Sequence, residues 1–301
     1  MKKEIMLVAA VIALVAFSGC LSKQETTTAF VGGTNGLTMQ FQNLPATVFS
    51  NTPFNIMVLV NNEGESNILA NNATFLLNNA QVLGITSDVI QKNSKALAGS
   101  KKIGTSIIPG SPQLINWTGA KFSGTVLTEQ QKVTVSVEAC YPYNSLGIAS
   151  VCVARTDKIC NPIGDKSVQS SGAPVKFTSF KQLAQSNDAE TVHLEITAGI
   201  ENQGDGKVYS NSVDSQCPSP KVDYLDMVYV LGIKLGNKAI TSLKCDENPI
   251  TLYENKGEIN CGFDVSTTAD FEEQLSIELA YKYKNKISSE IAVIPKSGNL
   301  K

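Results

Sequence analysis

The sequence predicts an all-β chain organised as two tandem β-sandwich domains, and three observations carry that expectation. Apolar and polar residues alternate with period 2 through most of the chain, the pattern of strands buried on one face. Gly, Pro, Asn and Asp interrupt the alternation at short intervals, which favours sandwiches over one large barrel. Without a signal-like N-terminus roughly 280 of the 301 residues remain, too many for one small core and enough for two of ordinary size.

The chain opens with Met1, Lys2 and Lys3, and the run from Ile5 to Ser18 carries no charge. A membrane-spanning helix needs roughly 20 apolar residues, so this run is short for a span and suits the core of a signal peptide. The stretch Phe17-Ser18-Gly19-Cys20 resembles a lipoprotein signal box. In such a box, small residues before the cysteine admit a peptidase and the thiol accepts a diacylglyceryl group. Glu4 and Phe17 depart from the commoner pattern. The alternatives are an ordinary cleaved signal and an uncleaved anchor, and all three readings export the chain. Residues 1–19 are thus read as signal peptide, and residues 20–35 as a lipidated Cys20 with a Thr- and Gly-rich flexible tether.

From residue 36 the strands follow in order. GLTMQF, FNIMVLV and ATFLLNN open the first domain, and SDVIQKNSKALAG is either a short helix or a long loop. KVTVSVEAC sets Val133, Val135, Val137 and Ala139 on one face. ACYPYNSLGIASVCV reads as two strands meeting through a turn at Leu146, closing a first domain over 36–154. The segment 155–172 breaks the alternation with Pro162, Gly164 and a Ser pair, and reads as a linker. The second domain, 173–295, contains VHLEITAGI and GEINCGF. It also holds one hairpin turning at Leu235-Gly236-Asn237-Lys238 and another turning at Lys284-Asn285-Lys286, leaving 296–301 as a tail.

The two domains echo each other. FNIMVLVNNEGESNIL and VHLEITAGIENQGDGKVY each run an alternating strand into Asn-x-Gly and a second extended segment, so that Asn62-Glu63-Gly64 matches Asn202-Gln203-Gly204. This layout resembles the CARDB-type and related immunoglobulin-like domains of prokaryotic surface proteins. ACYPYNSLGIASVCVARTDKIC with SSGAPVKFTSF is likewise similar to archaeal surface lipoproteins. The resemblance spans most of residues 36–295 and implies tandem immunoglobulin-like sandwiches, but it brings no functional residues with it.

With Cys20 set aside, six cysteines remain: Cys140, Cys152, Cys160, Cys217, Cys245 and Cys261. An even set in an exported chain implies three disulfides. If the turn at Leu146 forms, Cys140 and Cys152 face one another and pair. Cys245 and Cys261 flank a segment that leaves one strand and returns along another, so they pair as well. Cys160 and Cys217 are left for the third bridge.

Chemistry-bearing constellations are sparse. The net charge of −2 and the single arginine, Arg155, argue against nucleic acid as a partner. Glu201, Gln203 and Asp205 start like a calcium loop, but no bidentate Glu follows at the required distance, so ENQGDGK reads as a turn. His193, the only histidine, alternates with apolar residues on a strand, and no GxSxG accompanies it. No carboxylate pair stands out as a glycosidase couple. Asn72-Ala73-Thr74 and Asn116-Trp117-Thr118 are glycosylation sequons, which require both Asn side chains to face outward.

The function expected from sequence is therefore non-catalytic, without cofactor or metal. It is that of an extracellular protein held to the cell membrane through a lipid anchor, serving adhesion, envelope organisation or binding of a cell-surface protein or polysaccharide. Two alternatives stand beside it: a subunit of a surface filament assembled by strand addition, and a ligand-binding receptor lipoprotein with a cleft between its domains.

Overall fold

The computed structural model describes residues 30–86, 90–122, 129–156, 158–186, 188–212, 217 and 222–296. Cys20, the signal-like segment and residues 87–89 lie outside the described residues. Apart from one 3₁₀ turn at Val222–Tyr224, every regular element defined among the described residues is a strand.

The first nine strands are Leu37–Gln42 (β1), Thr47–Phe49 (β2), Phe54–Asn62 (β3), Thr74–Asn78 (β4) and Gln91–Asn93 (β5), then Lys101–Ile103 (β6), Ser106–Ile108 (β7), Pro112–Ala120 (β8) and Gln131–Val153 (β9). Ile163–Asp165 (β10), Val168–Ser170 (β11), Val175–Ser186 (β12), Thr191–Asn202 (β13) and Lys207–Tyr209 (β14) follow. The chain continues through Met227–Leu235 (β15), Lys238–Ala239 (β16), Lys244–Cys245 (β17) and Ile250–Thr251 (β18) to Lys256–Ser266 (β19) and Phe271–Ile294 (β20). The hairpin read at Leu235–Lys238 is present: β15 and β16 pair Leu235 with Lys238, and Gly236 takes the positive φ (56°) that its turn requires.

Two of these strands organise everything else. β9 and β20 run antiparallel through 23 consecutive pairs, from Phe271↔Val153 to Val293↔Gln131. The hairpins expected at Leu146 and at Lys284-Asn285-Lys286 do not form, and both stretches continue straight. Odd-numbered residues stay on one face throughout: Val135, Val137, Tyr141, Tyr143, Val151 and Val153 on β9, and Leu275, Ile277, Tyr281, Tyr283, Ile291 and Val293 on β20, are all buried. A fully buried Val, Leu or Ile contributes roughly 1.5–3 kcal/mol relative to exposure, so this face alone outweighs the turn chemistry that would favour bending.

Two smaller sheets cover that face. The first, ordered β1-β3-β8, contributes Ile56, Val58, Val60, Ile115 and Trp117. It lies over the half of the ribbon formed by the start of β9 and the end of β20, where β4 and β2 extend the large sheet. The second, ordered β10-β12-β13-β19-β17, contributes Val192, Leu194, Ile196, Ile259 and Phe263 over the opposite half, which β15 extends. Gly147 marks the close approach here: a Cβ on it would lie 2.5 Å from the Phe177 ring of β12. The result is sheet-on-sheet packing along the whole ribbon, with a single buried hydrophobic cluster.

A consequence is that each half of the core takes one part of β9 and one part of β20. The segment 155–172, expected as a linker, is part of the sheets instead: β10 pairs with β12, and β11 pairs with β9 at Val168↔Ala149. Arg155 helps fix the turn that leaves β9. It lies 3.2 Å from Asp270 and donates to the carbonyls of Ala189 and Thr267.

The disulfides follow from the straightened strand. Cys140 and Cys152 share a face of β9 but stand twelve residues apart, about 40 Å along an extended strand, so they cannot pair. Cys140 bonds Cys217, and Cys152 bonds Cys160 just beyond the strand end. Both expected pairings that involved these four residues are thus corrected. Cys245 and Cys261 are directly opposed on β17 and β19 and are bonded. The Cys140–Cys217 bridge closes the longest loop, 77 residues, worth about 4.5 kcal/mol through the unfolded chain, against about 2.5 for the eight-residue Cys152–Cys160 loop. Three such bridges point to an oxidising, extracellular environment. No helix among the described residues is long and apolar enough to cross a membrane.

Candidate functional site

The middle of the ribbon brings four tyrosines together. Tyr141 pairs across the ladder with Tyr283, and Tyr143 with Tyr281; their ring centroids lie 5.7–6.4 Å apart, in the range of favourable aromatic contact. Each hydroxyl is committed. Tyr141 accepts from the Leu37 amide at 2.9 Å, and Tyr281 from the Val175 amide at 3.2 Å. Tyr143 donates to Asn62 Oδ1 at 3.0 Å, and Tyr283 accepts from the Gly206 amide at 2.6 Å. Burial raises all four phenol pKa values, that of Tyr283 to about 12. These are neutral structural groups, and they join the two halves.

The bonds around them repeat at a spacing of 140 residues, or 138 between Leu37 and Val175. Asn285 Nδ2 donates to the Leu37 carbonyl at 2.8 Å, and Ser145 Oγ donates to that of Val175 at 2.6 Å. Asn62 Nδ2 donates to Ser66 O at 2.8 Å, and Asn202 Nδ2 to Gly206 O at 3.0 Å. A Cβ on Gly64 would meet Tyr143 Oη at 2.1 Å, and one on Gly204 would meet Tyr283 Oη at 2.3 Å. The Asn-x-Gly echo is therefore a turn shaped to receive a tyrosine, made twice.

Beside this junction the chain leads in from the N-terminus. The Glu65 carboxylate accepts from the amides of Val31 (2.7 Å), Gly32 and Gly172. Lys176 Nζ donates to the carbonyls of Gly33, Ser170 and Ser171; burial lowers its pKa, and Glu65 opposes that shift. Val31 to Gly33, within the expected tether of residues 20–35, are thus held by Glu65 and Lys176, one from each half of the molecule.

A cleft of about 800 Å³ opens at this point on the outer face of the ribbon. Its floor includes Leu146 and Glu278, one wall carries Leu231 and Lys234 of β15, and β6 with Phe30 forms the other wall. Asn144 Nδ2 holds Glu278 at 2.9 Å. The volume is that of a small-molecule or peptide-segment site, with an apolar wall and a few charged groups to fix orientation.

The residues singled out from sequence fall elsewhere. Asn72 and Asn116 are both exposed, the latter on the outward side of β8. His193 Nδ1 lies 2.7 Å from Asp264 Oδ1, its directly opposed partner on β19, with Glu195 3.8 Å from the other ring nitrogen. Asp205 and Gly206 lie in the connection from β13 to β14. No cluster of metal-binding side chains occurs among the described residues. Sequence reading missed Glu65, Lys176 and the tyrosines; the paired Tyr-x-Tyr of YPY and YKY was the available signal.

No model of a known protein family matches the chain, and no curated protein sequence does.

Proposed function

We propose that this is a membrane-anchored extracellular binding protein, non-catalytic, built from two immunoglobulin-like sandwiches that share their last strands, and that its binding site is the cleft beside the tyrosine junction. The observation that carries the proposal is the cleft itself, of about 800 Å³, with an apolar wall at Leu231 and charged groups at Lys234 and Glu278. Three disulfides suit an exported protein, and the signal-box resemblance around Cys20 supplies the anchor. The filament reading gains no support, because β1 pairs with β3 inside its own sheet rather than offering a free donor strand.

The test is retention of envelope polysaccharides and proteins by the full chain displayed in nanodiscs. Replacing Leu231→Asp together with Lys234→Glu should abolish specific retention, whereas Tyr253→Asp, exposed outside the cleft lining, should leave it intact. Retention indifferent to both changes would remove the cleft from the binding reading.

A further inference from the structure

The β6–β7 hairpin stands apart from every other sheet. It pairs only with itself, as a two-stranded ribbon, a form that is marginal in water without packing on one face. Here each face carries exposed isoleucine beside one lysine. The pairs Lys101↔Ile108 and Ile103↔Ser106 put Ile103 and Ile108 on one side, and Lys102↔Ile107 puts Ile107 on the other. Ile103 is 63% exposed, Ile107 58% and Ile108 48%. Three exposed isoleucines in six residues form the tightest group of large exposed hydrophobics in the described chain. Between residues 100 and 110 the only charges are Lys101 and Lys102, in a protein whose net charge is −2.

We propose that this hairpin docks on an anionic lipid surface, inserting its isoleucines while Lys101 and Lys102 meet the headgroups. The proposal rests on the membrane-anchor reading. Three pairs of an extended ribbon span about 10 Å, the depth to which interfacial elements enter the boundary between headgroup and acyl chain. Ile103 is nearest the Gly104-Thr105 tip, while Lys101 and Lys102 share the first two pairs with Ile108 and Ile107, from which their long side chains can extend back to headgroup phosphates. Position agrees with this chemistry. Phe30 lines the same cleft as Lys101, Lys102 and Ile103, and ten residues separate it from Cys20, a reach of at most about 36 Å. An anchor at Cys20 therefore keeps the hairpin within a short distance of the bilayer, and docking would orient the cleft beside the membrane.

The test uses the full chain reconstituted into phosphatidylcholine vesicles with and without phosphatidylglycerol, carrying Ile107→Trp. Trp117 is buried at 1% exposure and supplies a constant background. In anionic vesicles the added indole should shift to the blue and be quenched by lipids brominated on the acyl chains. Adding Lys101→Glu and Lys102→Glu should cut the docked population by tenfold or more, since each lysine near an anionic surface is worth roughly fivefold, while the protein still floats with the vesicles. Flotation without quenching overturns the docking proposal and leaves the anchor standing. Failure to float overturns the anchor and the docking that depends on it.

Discussion

At Tyr143 and at Tyr283, 140 residues apart, the chain sets the same side chain over the same Asn-x-Gly turn, yet the hydroxyls end in different bonds. Tyr143 donates to Asn62 Oδ1, which is thereby satisfied. Tyr283 instead accepts from the Gly206 amide, and Asn202 Oδ1 has no partner among the described residues. The surroundings differ in the same sense. Gly64 is hemmed in by backbone oxygens of Asn35 and Gly172 as well as by Tyr143, whereas Gly204 faces mainly the Tyr283 and Pro174 side chains. The first corner is tied to the N-terminal segment and to the link between halves; the second is tied within its own half, where the Gln203 amide donates to the Pro174 carbonyl and the Asn202 amide to that of Asn255. One repeated sequence device thus serves as a junction in one place and as ordinary turn packing in the other.

The largest effect should come from cutting the strand that joins these corners. A chain ending after Lys284 keeps the tyrosines and the Lys284–Glu138 ion pair (2.8 Å) but loses the part of β20 that pairs with Gln131–Ala139 and with β2. Buried Ile291 and Val293 go with it. The expected outcome is loss of amide-exchange protection in β1, β3 and β8, near the start of the chain, while β12, β13 and β19 stay protected. Loss of protection in the second group alone would show that the halves follow the order of the sequence and that the strands are not shared.

That sharing explains how much of the fold was legible in the sequence. Alternation located β3, β9, β13, β15, β19 and β20 and the face each one buries, because a period of 2 is a local property of the backbone, but it passed over β8 and β12. It could not distinguish a hairpin from a straight strand at Leu146 or Asn285. A three-residue turn returns the chain with the same parity, so Val151 and Val153 point inward either way. Gly147, beside the expected turn, is small because Phe177 sits over it, a contact made by a residue thirty positions away. The disulfide errors followed directly, since Cys140 and Cys152 oppose each other only if the turn exists. The cleft was illegible for a related reason: Phe30, Lys102, Leu231 and Glu278 are brought together by topology and share no sequence pattern.

The comparison sharpens at the two glycines. Gly64→Ala places a methyl within 2.5 Å of the Asn35 carbonyl oxygen and 2.7 Å of that of Gly172, so backbone must move; the expected cost is about 3 kcal/mol or more. Gly204→Ala meets the Tyr283 and Pro174 side chains rather than backbone, so side-chain movement alone can relieve it, and it should cost about 1–2 kcal/mol. Urea denaturation of both variants checks the order. Equal costs would mean that the first corner is no more constrained than the second.

Removing single hydroxyls is the smallest perturbation and the most specific one. Tyr143→Phe keeps the ring in its aromatic cluster and deletes only the donor to Asn62 Oδ1, leaving a carbonyl acceptor on a side chain that is 1% exposed. An acceptor stranded in that way costs about 1–3 kcal/mol. Tyr283→Phe deletes an acceptor instead, and the Gly206 amide it served lies in a part-exposed turn that water can reach, so the cost should be no more than about 1 kcal/mol. In Tyr143→Phe, adding Asn62→Leu removes the orphaned acceptor but also the bonds from Asn62 Nδ2 to Ser66 and Leu97 carbonyls, so it should not restore stability. If Tyr143→Phe proved harmless while Tyr283→Phe was costly, the assignment of junction and copy would have to be exchanged.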